Sequence, residues 1–187
     1  MLTPWLLGWA LAAAAPPPNF ASQQLPEYVR LAEVAKPLTF LGSATLERKM
    51  LFWYGVALYG SNRPVSDFAG ALETCQLQIV WLADSASAQE VQEHFRALLI
   101  SQLDAQSYAR LQPRLERFLT ALPAVQRGQQ WNLVYVPDAG MRFYADGLQL
   151  ATVSGVEVNR AVLGMWLGMQ ADPLVRSKLL SNLQATP

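Results

Sequence analysis

The sequence predicts an α+β fold, a mainly antiparallel β-sheet with helices packed on one face. Three observations carry that expectation. Apolar stretches of strand length come in two groups, over residues 38–82 and 131–153. Each group is followed by segments with helical spacing of apolar residues, so strands and helices are segregated along the chain rather than alternating. Asp146-Gly147 lies between two strand-length runs, a turn signal for antiparallel neighbours.

The elements follow in order. Residues 19–35 are polar and mixed, a lead-in with short extended pieces. From Pro37 the pattern turns to strand, with Leu38, Phe40 and Leu41 leading to Gly42-Ser43. Residues 50–59 are apolar at both parities, as in a strand covered on both faces in the middle of a sheet. Gly55 within it marks a bend or a close approach. Residues 75–82 form the next strand, with Cys75, Leu77 and Ile79 on its inner face. The period then changes. Ser87 with Glu90 makes a capping box, and Val91, Phe95, Leu98 and Leu99 form the apolar stripe of the helix it opens. Leu111, Leu115, Phe118, Leu119 and Leu122 stripe a second helical stretch. Pro113 interrupts it and predicts a short turn over 108–112 with a helix starting at the proline. Strands return at 131–136, 141–145 and 148–153. A helix follows Ser154-Gly155, with Val158, Val162, Met165 and Trp166 on one face and Gly168 as its stop. Asp172-Pro173 caps a last short helix carrying Leu179 and Leu183.

Composition excludes several classes. In 187 residues, 14 Lys+Arg balance 14 Asp+Glu, and 52% are hydrophobic. Zero net charge argues against a nucleic-acid binder, which neutralises phosphates with excess cations. One Cys and one His leave no disulfide framework and no metal constellation, so neither a metal nor another cofactor is expected. No charged side chain precedes Glu27, residues 5–15 are apolar, and three prolines follow. This run is too short to span a bilayer, which takes about 20 residues. It fits a signal peptide over 1–14 with cleavage before Ala15. The expected organisation is that leader, a lead-in over 15–35 and one domain over 36–187, exported to the periplasm or beyond, with no transmembrane span in the mature chain.

The segments Gly42-Ser43-Ala44, Phe52-Trp53-Tyr54 and Ala57-Leu58-Tyr59 make a resemblance visible, and 133–137, Gly140, Asp146-Gly147, 161–168 and Asp172-Pro173 strengthen it. Over residues 37–183 the chain resembles the chalcone isomerase-like superfamily, in particular its small exported bacterial branch. The resemblance implies an open-faced β-sandwich. It also implies either of two activities, flavonoid ring closure or non-catalytic fatty-acid binding. In the isomerases the first helix opens with Tyr, then Lys three residues on, then Asn four further. Ser87, Glu90 and His94 occupy those places here. The family's strand Thr falls on Tyr54 and its late-helix Ser or Thr on Asn159. Its strand Arg falls near Leu46, with Arg48 as the substitute for an anion contact. Glu90 therefore reverses the charge where an anionic substrate would sit.

The ligand-pocket candidates are Trp53, Tyr54, Glu90, His94, Asn159 and Trp166. Each also has a plain structural role: Glu90 as the capping acid, His94 at the flank of a buried stripe, Asn159 as a solvated helix residue, Trp53, Tyr54 and Trp166 as core. Cys75 reads as a small buried hydrophobe. Arg110, Arg114 and Arg117 share one helix face, either solvated or meeting an anionic lipid or acidic partner. The expected function is non-catalytic binding of a small apolar or amphipathic ligand, of fatty-acid type, between sheet and helices. Two alternatives stand beside it: an isomerase or lyase acting on a conjugated ketone, and a cell-envelope interaction protein without a pocket.

Overall fold

The computed structural model describes residues 25–32, 34–48, 51–61 and 67–184, at positions 48, 51, 52 and 184 the backbone alone. The expected leader over 1–14 lies outside the described residues.

Seven strands form one curled antiparallel sheet: β1 (Tyr28–Val29), β2 (Leu38–Arg48), β3 (Leu51–Gly60), β4 (Cys75–Trp81), β7 (Gln130–Val136), β8 (Gly140–Ala145) and β9 (Leu148–Val153), paired in that order. Two short strands, β5 (Ser85–Ala86) and β6 (Val125–Gln126), pair with each other beside it. The helices are α1 (Ala88–Gln102), α2 (Ala105–Thr120), α3 (Val156–Leu167) and α4 (Pro173–Leu179), followed by a 3-10 turn over Ser181–Gln184. This is the α+β layout the sequence predicts.

β3 shows why its sequence is apolar at both parities. Tyr54, Val56 and Leu58 point into the main core with the helices, while Ala57 and Tyr59 point to the other face. There Leu25, Val29, Leu31 and Phe40 pack over them, with the Phe40 and Tyr59 rings edge-to-face at 5.7 Å. The lead-in thus covers part of the face the helices leave open, and Tyr28–Val29 extends the sheet by pairing with β2. Gly55 pairs regularly with Thr45 and Val80, so the strand runs through it without a break. Asp146 and Gly147 both have positive φ, +48° and +84°, as a two-residue hairpin between β8 and β9 requires.

α1 starts at the expected capping box: Ser87 Oγ accepts from Glu90 N, and the Glu90 carboxylate accepts from Ser87 N at 2.9 Å. α3 is buried along almost its whole length, from Val158 and Asn159 through Ala161–Leu167, and packs against the other three helices as well as the sheet. Asp172 caps α4 by accepting from Leu174 N and Val175 N, with Pro173 in the first turn.

One of these expectations needs correction, and another holds for a different reason. α2 does not begin at Pro113. It runs unbroken from Ala105, capped by Asp104, with Pro113 inside it. Pro113 and Ala109, whose carbonyl loses its usual donor, are both exposed, so water can take that carbonyl while Leu111, Leu115, Phe118 and Leu119 stay buried on the other side. Gly168 does end α3, but in an extended conformation (φ −70°, ψ 168°) rather than the left-handed one usual for a glycine stop. Its reason is space: a Cβ there would lie 2.7 Å from the Gly164 carbonyl oxygen.

α1 and α2 are also tied by charge. Arg96 donates to Glu116 at two points, Nε to Oε1 at 3.1 Å and Nη2 to Oε2 at 2.7 Å. The guanidinium bond holds the Glu116 carboxyl below its ordinary value. A depressed folded-state pKa means the contribution is complete above the ordinary glutamate range and is lost as pH falls through the lowered value. Glu116→Gln is therefore expected to cost about 0.5–1 kcal/mol near neutrality and almost nothing in acid. Urea melts at about pH 7 and about pH 3 check this, and an equal loss at both would assign the effect to packing instead.

Candidate functional site

Three elements bring three of the predicted residues to one point. β3 supplies Tyr54, α1 supplies His94 and α3 supplies Trp166. Trp166 Nε1 donates to the Tyr54 hydroxyl at 3.2 Å, and that hydroxyl lies 3.3 Å from His94 Nε2. Tyr54 and Trp166 are wholly buried, while His94 is half-buried. One proton arrangement satisfies every group: Trp166 donates to the Tyr54 oxygen, and Tyr54 donates its own hydrogen to an unprotonated Nε2. Any other tautomer leaves the buried phenol hydrogen without an acceptor. Burial pushes the Tyr54 pKa far up, against the smaller opposing pull of the Trp166 bond. Tyr54 is therefore a phenol at all physiological pH values, neither a phenolate base nor a nucleophile.

Aromatic rings fill the surroundings. Trp53 meets His94 edge-on at 4.3 Å and Trp81 at 5.2 Å. Phe95 stacks on Tyr54 at 6.1 Å and meets Trp166 at 5.7 Å, while Trp81 and Trp131 are 4.9 Å apart. Such tilted and edge-to-face pairs are the favoured packing of aromatic side chains. Trp81 is the cross-strand partner of Tyr54 and was not among the predicted site residues. The alternation Leu77, Ile79, Trp81 along β4 carried the signal. Its Nε1 is buried with no partner among the described residues.

The remaining candidates fall elsewhere. Glu90 is exposed and engaged in the capping box, its Oε2 also 2.8 Å from Ser87 Oγ. Asn159, expected at the surface, is instead buried in α3, two turns before Trp166, and its Oδ1 has no partner among the described residues. Arg48 ends β2 opposite Leu51, and its side chain lies outside the described residues. Cys75 is buried as expected, and desolvation pushes its thiol up to about 12. Among the described residues no group of three His, Cys, Asp or Glu is placed to hold a metal, and no helix is long and apolar enough to cross a membrane.

The open space lies one strand away. β2 and α4 enclose a groove of about 520 Å³ lined by Ala44, Leu46, Glu47, Leu174, Val175 and Lys178, among others. Leu46 pairs with Tyr54 across the β2–β3 ladder, so the groove adjoins the aromatic cluster. Its volume lies within the roughly 300–1,000 Å³ of small-molecule sites. Local sequence gave little sign of it, because it is made by two segments more than a hundred residues apart (roughly 130).

A curled antiparallel sheet whose inner face carries four helices defines a chalcone isomerase-like fold. The chain matches the chalcone isomerase-like family over residues 18–181 and belongs to it. That match begins ahead of residue 36 and so takes in part of the lead-in. Among solved structures the chain is similar to the crystal structure of a fatty-acid binding protein from Arabidopsis thaliana, at a TM-score of 0.67 and 14% identity, covering 82% of this chain and 92% of that one. No curated protein matches it in sequence.

Proposed function

We propose that this protein is a non-catalytic, exported binder of one amphipathic molecule of fatty-acid type, held in the groove between β2 and α4. The groove itself carries the reading. Its wall is apolar along Ala44, Leu46 and Val175, and the exposed Lys178 on its lining offers an ammonium for a carboxylate head, while of the two acids that also line it Asp172 is engaged in capping α4 and Glu47 is exposed near the end of β2. The similarity to a fatty-acid binding protein supports the same class of ligand. The isomerase reading draws less support. Ring closure has to hold an anionic phenolate with positive charge, and the matching helix position carries Glu90, which caps α1. Tyr54 is locked as a neutral phenol between Trp166 and His94.

Delipidated protein is expected to bind a fluorescent fatty-acid analogue saturably, one molecule per chain. Leu46→Trp fills the groove and is expected to weaken that binding at least about tenfold, with the circular dichroism melt little changed, because Leu46 is only partly buried. No saturable binding, or undiminished binding by Leu46→Trp, removes the groove as the site. Turnover of a chalcone by the same preparation would favour the enzyme instead.

A further inference from the structure

Arg110, Arg114 and Arg117 share one face of α2, yet their partners differ. Arg110 Nη1 donates to both oxygens of Glu157 at 2.8 Å. Arg117 engages only Nε, with the Pro113 carbonyl at 3.4 Å. Arg114 has no hydrogen-bond or ion-pair partner among the described residues. Both of these guanidinium groups line a groove of about 360 Å³ between α2 and β9, the last strand of the sheet. Phe118, Ala151 and Val153 are its apolar lining residues, Thr152, Ser154 and Gly155 line it along β9 and the chain beyond, and no carboxylate is among its lining residues. The Arg114 guanidinium rests against Gly155, where a Cβ would lie 2.9 Å from Nη1. Glu157, the acid of the adjoining α3 turn, is already taken by Arg110.

We propose that this groove binds a phosphomonoester, either a small soluble one or the headgroup of a lipid. Two guanidinium forks with no matching acid favour an anion of about two charges. A phosphomonoester carries about −1.5 to −2 and three acceptor oxygens near neutrality, whereas a carboxylate offers one charge and two oxygens. Arginine binds phosphate through paired N–H donors. Ala151, with the edges of the otherwise buried Phe118 and Val153, forms the apolar part of the lining that would meet the attached carbon skeleton. The site is distinct from the groove between β2 and α4, since β2 and β9 lie toward opposite ends of the sheet.

Calorimetric titration with glycerol 3-phosphate in about 0.15 M salt, alongside co-sedimentation with phosphatidic acid vesicles and a phosphatidylcholine control, tests the proposal. Saturable binding of glycerol 3-phosphate identifies a soluble ligand, and binding to phosphatidic acid vesicles alone identifies a headgroup. Either supports the site. Arg114→Gln and Arg117→Gln are each expected to weaken binding by roughly 10- to 100-fold, and Arg30→Gln, on the lead-in, to leave it unchanged. Both groove arginines are exposed, so folding is expected to survive, and a circular dichroism melt verifies it. Absence of binding in both arms, an equal effect of Arg30→Gln, or equal competition by glycerate overturns the proposal.

Discussion

Trp166→Ala is expected to destabilise the protein by about 3–5 kcal/mol, the usual cost of deleting a buried aromatic ring. Against a total of about 5–15 kcal/mol for a domain, that is enough to leave part of the population unfolded at ambient temperature. Trp166 is wholly buried in the last turn of α3 and meets Phe95 edge-on. Its removal takes away ring contacts and the donor to Tyr54 in one step. Two milder variants separate these contributions. Trp166→Phe keeps most of the ring and loses the N–H, so the Tyr54 oxygen goes without its indole donor. Tyr54→Phe leaves both Trp166 Nε1 and His94 Nε2 facing a hydrocarbon edge. Each is expected to cost about 1–3 kcal/mol, the penalty for stranding buried polar groups. Guanidinium unfolding monitored by fluorescence and by far-UV circular dichroism measures all three. A loss below about 1 kcal/mol for Trp166→Ala would mean that the ring does not brace the sheet against α3.

The same cluster shows how far local sequence reaches. The doubly apolar β3, the capping box at Ser87, the Asp146-Gly147 turn and the Asp172-Pro173 start were legible because each is decided within a few residues. The helical spacing that exposed the stripe of α1 also placed His94 at its flank, and so within reach of Tyr54. What escaped depends on distant neighbours. Pro113 breaks a helix in isolation, but here it lies on the solvent side of a helix whose other side is fixed by Leu111, Leu115 and Phe118. Asn159 reads as a surface residue from its polarity, yet α3 is enclosed by three helices and a sheet, so nearly every position on it is buried. Glu90 could be read as a cap or as a pocket acid, and only the observed bonds to Ser87 decide. The groove of Leu46 and Val175 has no local pattern at all, because it exists only once α4 is laid across β2.

That seam is the basis of the second large expectation. Gly42→Ala is expected to loosen α4 from the sheet and to lower stability and ligand binding together. Gly42 sits in β2 directly beneath the end of α4, facing the carbonyl oxygens of Lys178 and Leu179. An added Cβ would overlap the Lys178 carbonyl oxygen and lie 2.7 Å from that of Leu179. Both obstacles are backbone, so no rotamer change relieves them, and α4 has to move as a unit. Leu179 and Val175 anchor α4 in the main core, and a displacement that exposes even part of them adds to the overpacking cost. The expected loss is about 1–3 kcal/mol or slightly more. Val175 and Lys178 also line the groove that Leu46 closes from the other side, so its width changes with the helix position. Leu46→Trp fills the same groove without touching the Gly42 contact, and so serves as the comparison. If α4 merely sits on the sheet, Gly42→Ala costs stability and spares binding. If the groove is the ligand site, both fall together, while Leu46→Trp loses binding alone. Hydrogen exchange of the α4 amides, read beside the fatty-acid titration, separates the two cases: faster α4 exchange with intact binding would detach the groove from the ligand.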